Sequence, residues 1–250
     1  MAVWGSQSVQ FVWFLTSVEN LRAEALYQAL VGDEPDTSQR NKVPSPANPF
    51  LSTADGVIEN RQFQLQVQPG RVDLIISAFQ QELDQDITLL ETVDEIQGVL
   101  EAIPKAAIEW PVAVRQSVVA NLVAPVKNDA EAYSLFLETA EYALDLPDFS
   151  DPILQINRRK ALKAGGFMNR LMRFGVAATQ QFMFEINQFA GAGQAIPVSK
   201  QRFGCSLTLD INTVPDGRTI DSKHQITIFK ELSQELIRLA ELRSPKALAD

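Results

Sequence analysis

One phrase of this chain restricts its fold more than any other. Phe63-Gln64-Leu65-Gln66-Val67 alternates with period two, Gln68-Pro69-Gly70-Arg71 follows, and residues 72–77 return as a second β-prone run. Proline presets the second position of a turn and glycine accepts positive φ, so the phrase predicts a β-hairpin. Residues 9–15, 112–123, 181–189 and 203–212 also alternate or are rich in β-branched and aromatic residues. The last two are separated by a stretch holding Gly191, Gly193 and Pro197, which predicts another hairpin. Hairpins require antiparallel neighbours, whereas a parallel sheet needs a helical crossover after each strand. The expected class is therefore α+β.

Helical spacing fills the gaps. Residues 18–31 place Leu21, Ala25 and Leu30 on one face, and Ile87, Leu90, Val93, Ile96, Leu100 and Ile103 recur every three or four residues until Pro104. Residues 129–144 form a third candidate, with Asn128 as its N-cap. Residues 225–242 form a fourth, carrying Phe229, Leu232, Leu236 and Leu239. Residues 153–156 read as a short strand, and residues 32–60, with four prolines, as one long irregular connection. Residues 165–174 fit either a short helix or the start of a strand running towards Gln181. The order strand, helix, hairpin, helix then occurs twice. This predicts two similar halves, 1–104 and 105–250, each an antiparallel sheet backed by helices.

Charge is distributed unevenly over this frame. From Pro152 to Leu209 there are eight basic residues and one acid, Glu185, a local charge of +7; with −9 overall, the remaining residues carry −16. Arg158, Arg159, Lys160, Lys163, Arg170 and Arg173 form the candidate binding set. Such a segment can bind an anionic partner or neutralise the protein's own acidic part. Arginines clamp phosphates and neighbouring aromatics stack on bases, which keeps nucleic acid as an alternative partner. Alternation along strands would, however, divide these cations between two faces. Trp13, Phe50 and Trp110 are candidate contact anchors if exposed, with core as the default.

Short phrases of the chain carry a family resemblance. Residues 128–145 followed by Ile153-Leu154-Gln155-Ile156-Asn157-Arg158, the later Met168-Asn169-Arg170-Leu171, and Val67-Gln68-Pro69-Gly70-Arg71-Val72-Asp73-Leu74 resemble a family of sporadically distributed bacterial proteins. The closing Leu207-Thr208-Leu209-Asp210-Ile211-Asn212 before a helix is similar to how that family ends. The resemblance implies a bacterial source and no particular chemistry, so no catalytic residue is carried over.

The residues themselves offer no catalytic signature. His224 is the one histidine, and it stands at a helix start behind the polar run Asp221-Ser222-Lys223. No nucleophile elbow, phosphate-binding loop or zinc spacing accompanies it. Acids along residues 84–95 and 131–141 follow single helices and read as solvated faces; a magnesium site needs carboxylates converging from different elements. Cys205, the one cysteine, sits in an alternating apolar run and reads as a buried small hydrophobe. No apolar run reaches the ~20 residues of a membrane helix, and no basic leader precedes the first strand. The expectation is a cytoplasmic protein that needs no cofactor and does not catalyse. It binds a protein partner, or itself, through exposed sheet and the basic segment. The alternative is a nucleic-acid-binding or phosphoryl-chemistry protein using the same arginines, with Asp73 or Asp210 approaching them.

Overall fold

The computed structural model describes residues 2–79, 88–143, 150–186 and 195–249, with backbone alone between 178 and 200. Among the described residues there are nine strands: β1 (Gly5–Leu15), β2 (Thr37–Arg40), β3 (Ser52–Ile58), β4 (Arg61–Gln68), β5 (Arg71–Ala78), β6 (Ala113–Val126), β7 (Ile153–Ala161), β8 (Phe167–Ile186) and β9 (Ala195–Thr213). They form one antiparallel sheet in the order β2-β3-β4-β5-β1-β6-β9-β8-β7. The helices are α1 (Ala23–Val31), α2 (Thr92–Lys105), α3 (Asp129–Thr139) and α4 (Ser222–Leu242), closed by a 3-10 turn, Pro245–Ala249. The α+β class follows directly. The strands of residues 1–104 and 105–250 do not build separate sheets, because β1 and β6 pair from Gly5↔Val123 to Leu15↔Ala113 and join them into one layer.

Side-chain alternation decides where the core lies. Val9, Phe11 and Trp13 of β1, Leu74 and Ile76 of β5, Val118 and Ala120 of β6, and Leu207, Leu209 and Ile211 of β9 are all buried on one face. Buried residues of all four helices join the same cluster, among them Tyr27, Ile96, Phe136 and Phe229. Trp13 stacks on Trp110 at 4.5 Å and meets Phe229 edge-on at 4.8 Å. Both tryptophans are thus core residues, and Phe50 is half-buried. Fully burying one such side chain stabilises a fold by about 1.5–3 kcal/mol, and here the large aromatics concentrate where Phe229 of α4 reaches Phe11 and Trp13 of β1.

Several local expectations need correction. Residues 32–60 hold two strands, β2 and β3. Their apolar signal is weak because β3 turns small residues, Ser52, Ala54 and Gly56, towards α1. A Cβ on Gly56 would lie 2.3 Å from the Tyr27 hydroxyl, so the helix approaches too closely for a larger side chain. The first helix begins at Ala23, after a turn in which Leu21 N–H bonds the Val18 carbonyl. Leu90 precedes α2 and forms an isolated bridge with Ser6, while Pro104 sits in the last turn of that helix. Residue 87, like residues 144–149, lies outside the described residues.

Residues 167–174 are strand. Met168, Met172 and Phe174 alternate into the core, and the buried Arg170 between them had masked the apolar pattern. Pro197 lies within β9 opposite Phe184, and Gly191 and Gly193 fall outside the described residues. β6 reaches only as far as Phe203 along β9, so the missing N–H of Pro197 interrupts no ladder on that side.

Candidate binding surface

The six candidate cations do not form one patch. Arg158, Lys160 and Arg170 stand on the helix-covered face, in register with Met172 and Phe174 two and four positions along β8. Arg170 is 1% exposed, and its Nη1 donates to Glu235 Oε1 of α4 at 3.0 Å. Lys160 Nζ donates to the other oxygen of Glu235 at 2.9 Å, and Arg238 Nη2 reaches the same carboxylate at 2.6 Å. Arg158 Nη1 and Arg170 Nη2 both donate to the Leu248 carbonyl, and Arg238 Nη2 to that of Ala247. Half of the candidate set therefore ties β7, β8, α4 and the C-terminal turn together.

Arg159 and Arg173 point the other way and are exposed. Lys163 is also exposed, in the β7–β8 turn, where its backbone N–H and that of Ala164 donate to Glu231 of α4 at 2.7 and 3.1 Å.

The face on which Arg159 and Arg173 lie carries no helix among the described residues. It is polar and only half-exposed, with side chains bonded to one another across the strands. Asp73 accepts from Gln10 Nε2 at 2.6 Å and from Arg71 Nε and Nη2, both at 2.7 Å. Asp210 accepts from the Ser117 hydroxyl at 2.7 Å and from Asn212 Nδ2 at 2.9 Å. Asn121 bridges Ser8 and Thr208. Burial raises the Asp55 carboxyl above its ordinary range, opposed by a hydrogen bond from Gln64. Among side chains described on this face, Arg71, Arg115, Arg159, Arg173 and Arg202 stand against Asp55, Asp73 and Asp210. Asp73 lies four strands from Arg173, about 19 Å at ordinary strand spacing. The carboxylate it supplies thus goes to Arg71 and not to the candidate arginines.

Sequence reasoning missed a cluster at one end of this face, where β1, β5 and β6 meet. Phe14 of β1 lies between Arg71 of β5 and Arg115 of β6, and both guanidinium carbons sit close to its ring, 5.2 and 5.1 Å from the centroid. These three residues are 57 and 101 positions apart in the chain pairs Phe14–Arg71 and Phe14–Arg115, so no local pattern announces them.

A second concave feature lies at one end of the sheet. A cavity of about 200 Å³ is bounded by Leu162, Phe167, Arg218, Asp221, His224 and Ile228 among others. Asp221 caps α4: its Oδ1 accepts from His224 N–H at 3.0 Å and lies 2.7 Å from His224 Nδ1, and these bonds hold its carboxyl below the ordinary range. Arg218 pairs with Asp216 and holds that carboxyl down in the same way. Both pairs are satisfied locally, and His224 is exposed as a helix-start residue.

No helix among the described residues is long and apolar enough to cross a membrane, and those residues hold no cluster of three or more metal-ligating side chains. No protein-family model, curated protein or solved structure matches the chain.

Proposed function

We infer that this is a bacterial cytoplasmic binding protein that does not catalyse, and that its working surface is the helix-free face of the sheet. One observation carries the reading: among the described residues, a nine-stranded sheet keeps four helices on one face and leaves the other polar, internally bonded and partly exposed. An antiparallel sheet can leave one face to water. A solvent-only face, however, has no need for arginines stacked on phenylalanine or for carboxylates held by neighbours on adjacent strands. Arg159 and Arg173 extend the surface towards the β7 edge, while Arg158, Lys160 and Arg170 are bonded to α4 and the C-terminal turn.

A protein partner, or a second copy of this chain, suits this face better than a nucleic acid. Cations and carboxylates alternate across it, and the Arg71 charge is already matched by Asp73. A phosphate backbone requires several unmatched cations along one track. The two stretches 1–104 and 105–250 also share an order: each starts with a central strand (β1, β6), places its last strand beside it (β5, β9) and works outwards. We read this as two related halves that contribute one side each to the surface.

The experiment is an affinity pull-down from bacterial lysate at low and moderate salt, with and without nuclease, using wild-type protein and Arg159→Glu/Arg173→Glu. A defined protein retained after nuclease and lost in the double variant supports the reading. Recovery of nucleic acid alone, lost as salt rises, replaces it with the phosphate-binding alternative.

A further inference from the structure

Arg115, near the start of β6, is charged and has no counter-charge among the described residues. Its guanidinium carbon lies 5.1 Å from the Phe14 ring centroid, and Arg71 occupies the same ring at 5.2 Å, so the two cations are no more than about 10 Å apart. Asp73 takes two hydrogen bonds from Arg71 and neutralises it. For Arg115 the described residues supply no carboxylate and no hydrogen-bond acceptor, and its Nε is enclosed without a partner. The stem and ring contacts fix the position of the guanidinium, which lowers the ordering cost of binding an anion. Enclosing one N–H without an acceptor costs stability, and an incoming oxygen is met by the terminal N–H groups of the fork.

Charge decides which anion fits. One guanidinium is free at this position, with Asp73 beside its neighbour and Asp210 on the adjoining strand. A dianionic phosphate would face the carboxylate of Asp73 in the neighbouring pair. A monoanionic carboxylate matches a single planar fork of N–H donors and meets half that repulsion. On the Arg71 side, Gln68 opposite Arg71 and Gln66 opposite Asp73 continue the same face with side-chain amides suited to a peptide backbone.

We propose that Arg115, held on Phe14 beside the Arg71–Asp73 pair, is the anchor for a glutamate or aspartate side chain of an acidic protein segment laid across the helix-free face. The proposal rests on the reading of that face as the working surface and names the partner's chemistry.

Arginine Nε–Hε resonances of the 15N-labelled full chain report directly on this contact, with the Arg115 signal assigned by its loss in Arg115→Lys. The probes are an acetylated, amidated hexaglutamate peptide, the matching hexaglutamine peptide, and a hexathymidine oligonucleotide, each at low salt. The expected result is a saturable shift of Arg115 with hexaglutamate at a concentration at least tenfold below that needed with the oligonucleotide. Hexaglutamine should leave it unmoved, and Arg115→Lys should weaken hexaglutamate binding at least fivefold while the amide spectrum stays folded. Equal shifts at Arg115, Arg159 and Arg173, no shift at Arg115, or preference for the oligonucleotide each overturns the proposal. A pull-down partner that Arg115→Lys retains as well as wild type does so too, while leaving the broader interaction reading intact.

Discussion

Arg170 and Glu235 meet at 3.0 Å although 65 positions separate them, with only 1% and 6% of their side chains exposed. Lys160 and Arg238 complete a ring of three cations around that one carboxylate. Main-chain carbonyls of Ala247 and Leu248 receive further N–H groups from Arg158, Arg170 and Arg238. The cluster docks the C-terminal turn onto β7 and β8, so part of the basic segment is structural.

This arrangement makes stability pH-dependent. Burial pushes the Glu235 carboxyl up, but hydrogen bonds from Arg238, Lys160 and Arg170 outweigh it and hold the group at about 2 instead of 4.5. Between those two values the unfolded chain binds a proton that the folded chain does not. The stabilisation is complete above about pH 4.5 and is lost as pH falls towards 2, with an upper bound of about 3 kcal/mol. Urea midpoints at pH 7, 4 and 3 should fall steeply for wild type and less for Glu235→Gln. Parallel profiles would remove Glu235 from the account.

Removing the carboxylate alone strips the buried Arg170 of the Glu235 counter-charge. Glu235→Ala should cost about 3–5 kcal/mol. Replacing both partners, Glu235→Leu with Arg170→Met, should recover a large part of this, because Lys160 and Arg238 can turn to solvent while Arg170 cannot. Chemical denaturation of the three proteins measures the recovery, and a double variant no better than Glu235→Ala argues against the pairing as its cause.

The two faces of the basic segment should separate in mutagenesis. Arg159→Glu and Arg173→Glu should each change stability by less than about 0.5 kcal/mol, as exposed substitutions do. Arg170→Glu places two carboxylates against each other in the interior and should prevent folding under ordinary conditions. Thermal melts with circular dichroism distinguish them, and comparable losses in all three would contradict the assignment of faces.

Cys205 is fully buried in β9, and burial pushes its thiol up to about 12. The native protein at pH 8 should therefore react with a thiol-specific disulfide reagent only as fast as it opens, because the thiolate is the reactive form. Reaction in dilute urea should track unfolding measured by fluorescence. Rapid stoichiometric labelling without denaturant would place the thiol at the surface.

Gly204 is squeezed where β6 and β9 pair. An added Cβ would lie 2.7 Å from Val123 Cγ2 and 3.1 Å from the Ala124 carbonyl oxygen. The carbonyl belongs to a paired strand and cannot retreat. Gly204→Ala should destabilise by about 1–3 kcal/mol, read from the denaturation midpoint, with Gly98→Ala as the unhindered control.

Much of the architecture was legible in residue order. The Pro69-Gly70 hairpin, with Gly70 at φ 71°, and the alternations of β1, β6 and β9 required antiparallel pairing. Asn128 caps α3 by accepting from the Glu131 N–H, and Phe229, Leu232, Leu236 and Leu239 form the buried stripe of α4. These features rest on contacts within a few residues or on a period that one element displays alone. Strand β3 was hidden because small residues met a helix, β2 because all four of its residues are exposed, and the start of β8 because a charge occupied a core position.

The sequence alone determined the α+β class, the antiparallel pairing and the division of a basic stretch into alternating positions, since backbone periodicity and turn chemistry are local. Only the tertiary structure decided which face received the helices. That choice directed Arg158, Lys160 and Arg170 to Glu235 and the C-terminal carbonyls, left Arg159 and Arg173 outside, and stacked Arg71 and Arg115 on Phe14. Whether a cation is consumed internally depends on partners tens of residues away, and strand order, unlike strand identity, is a long-range property of the whole chain.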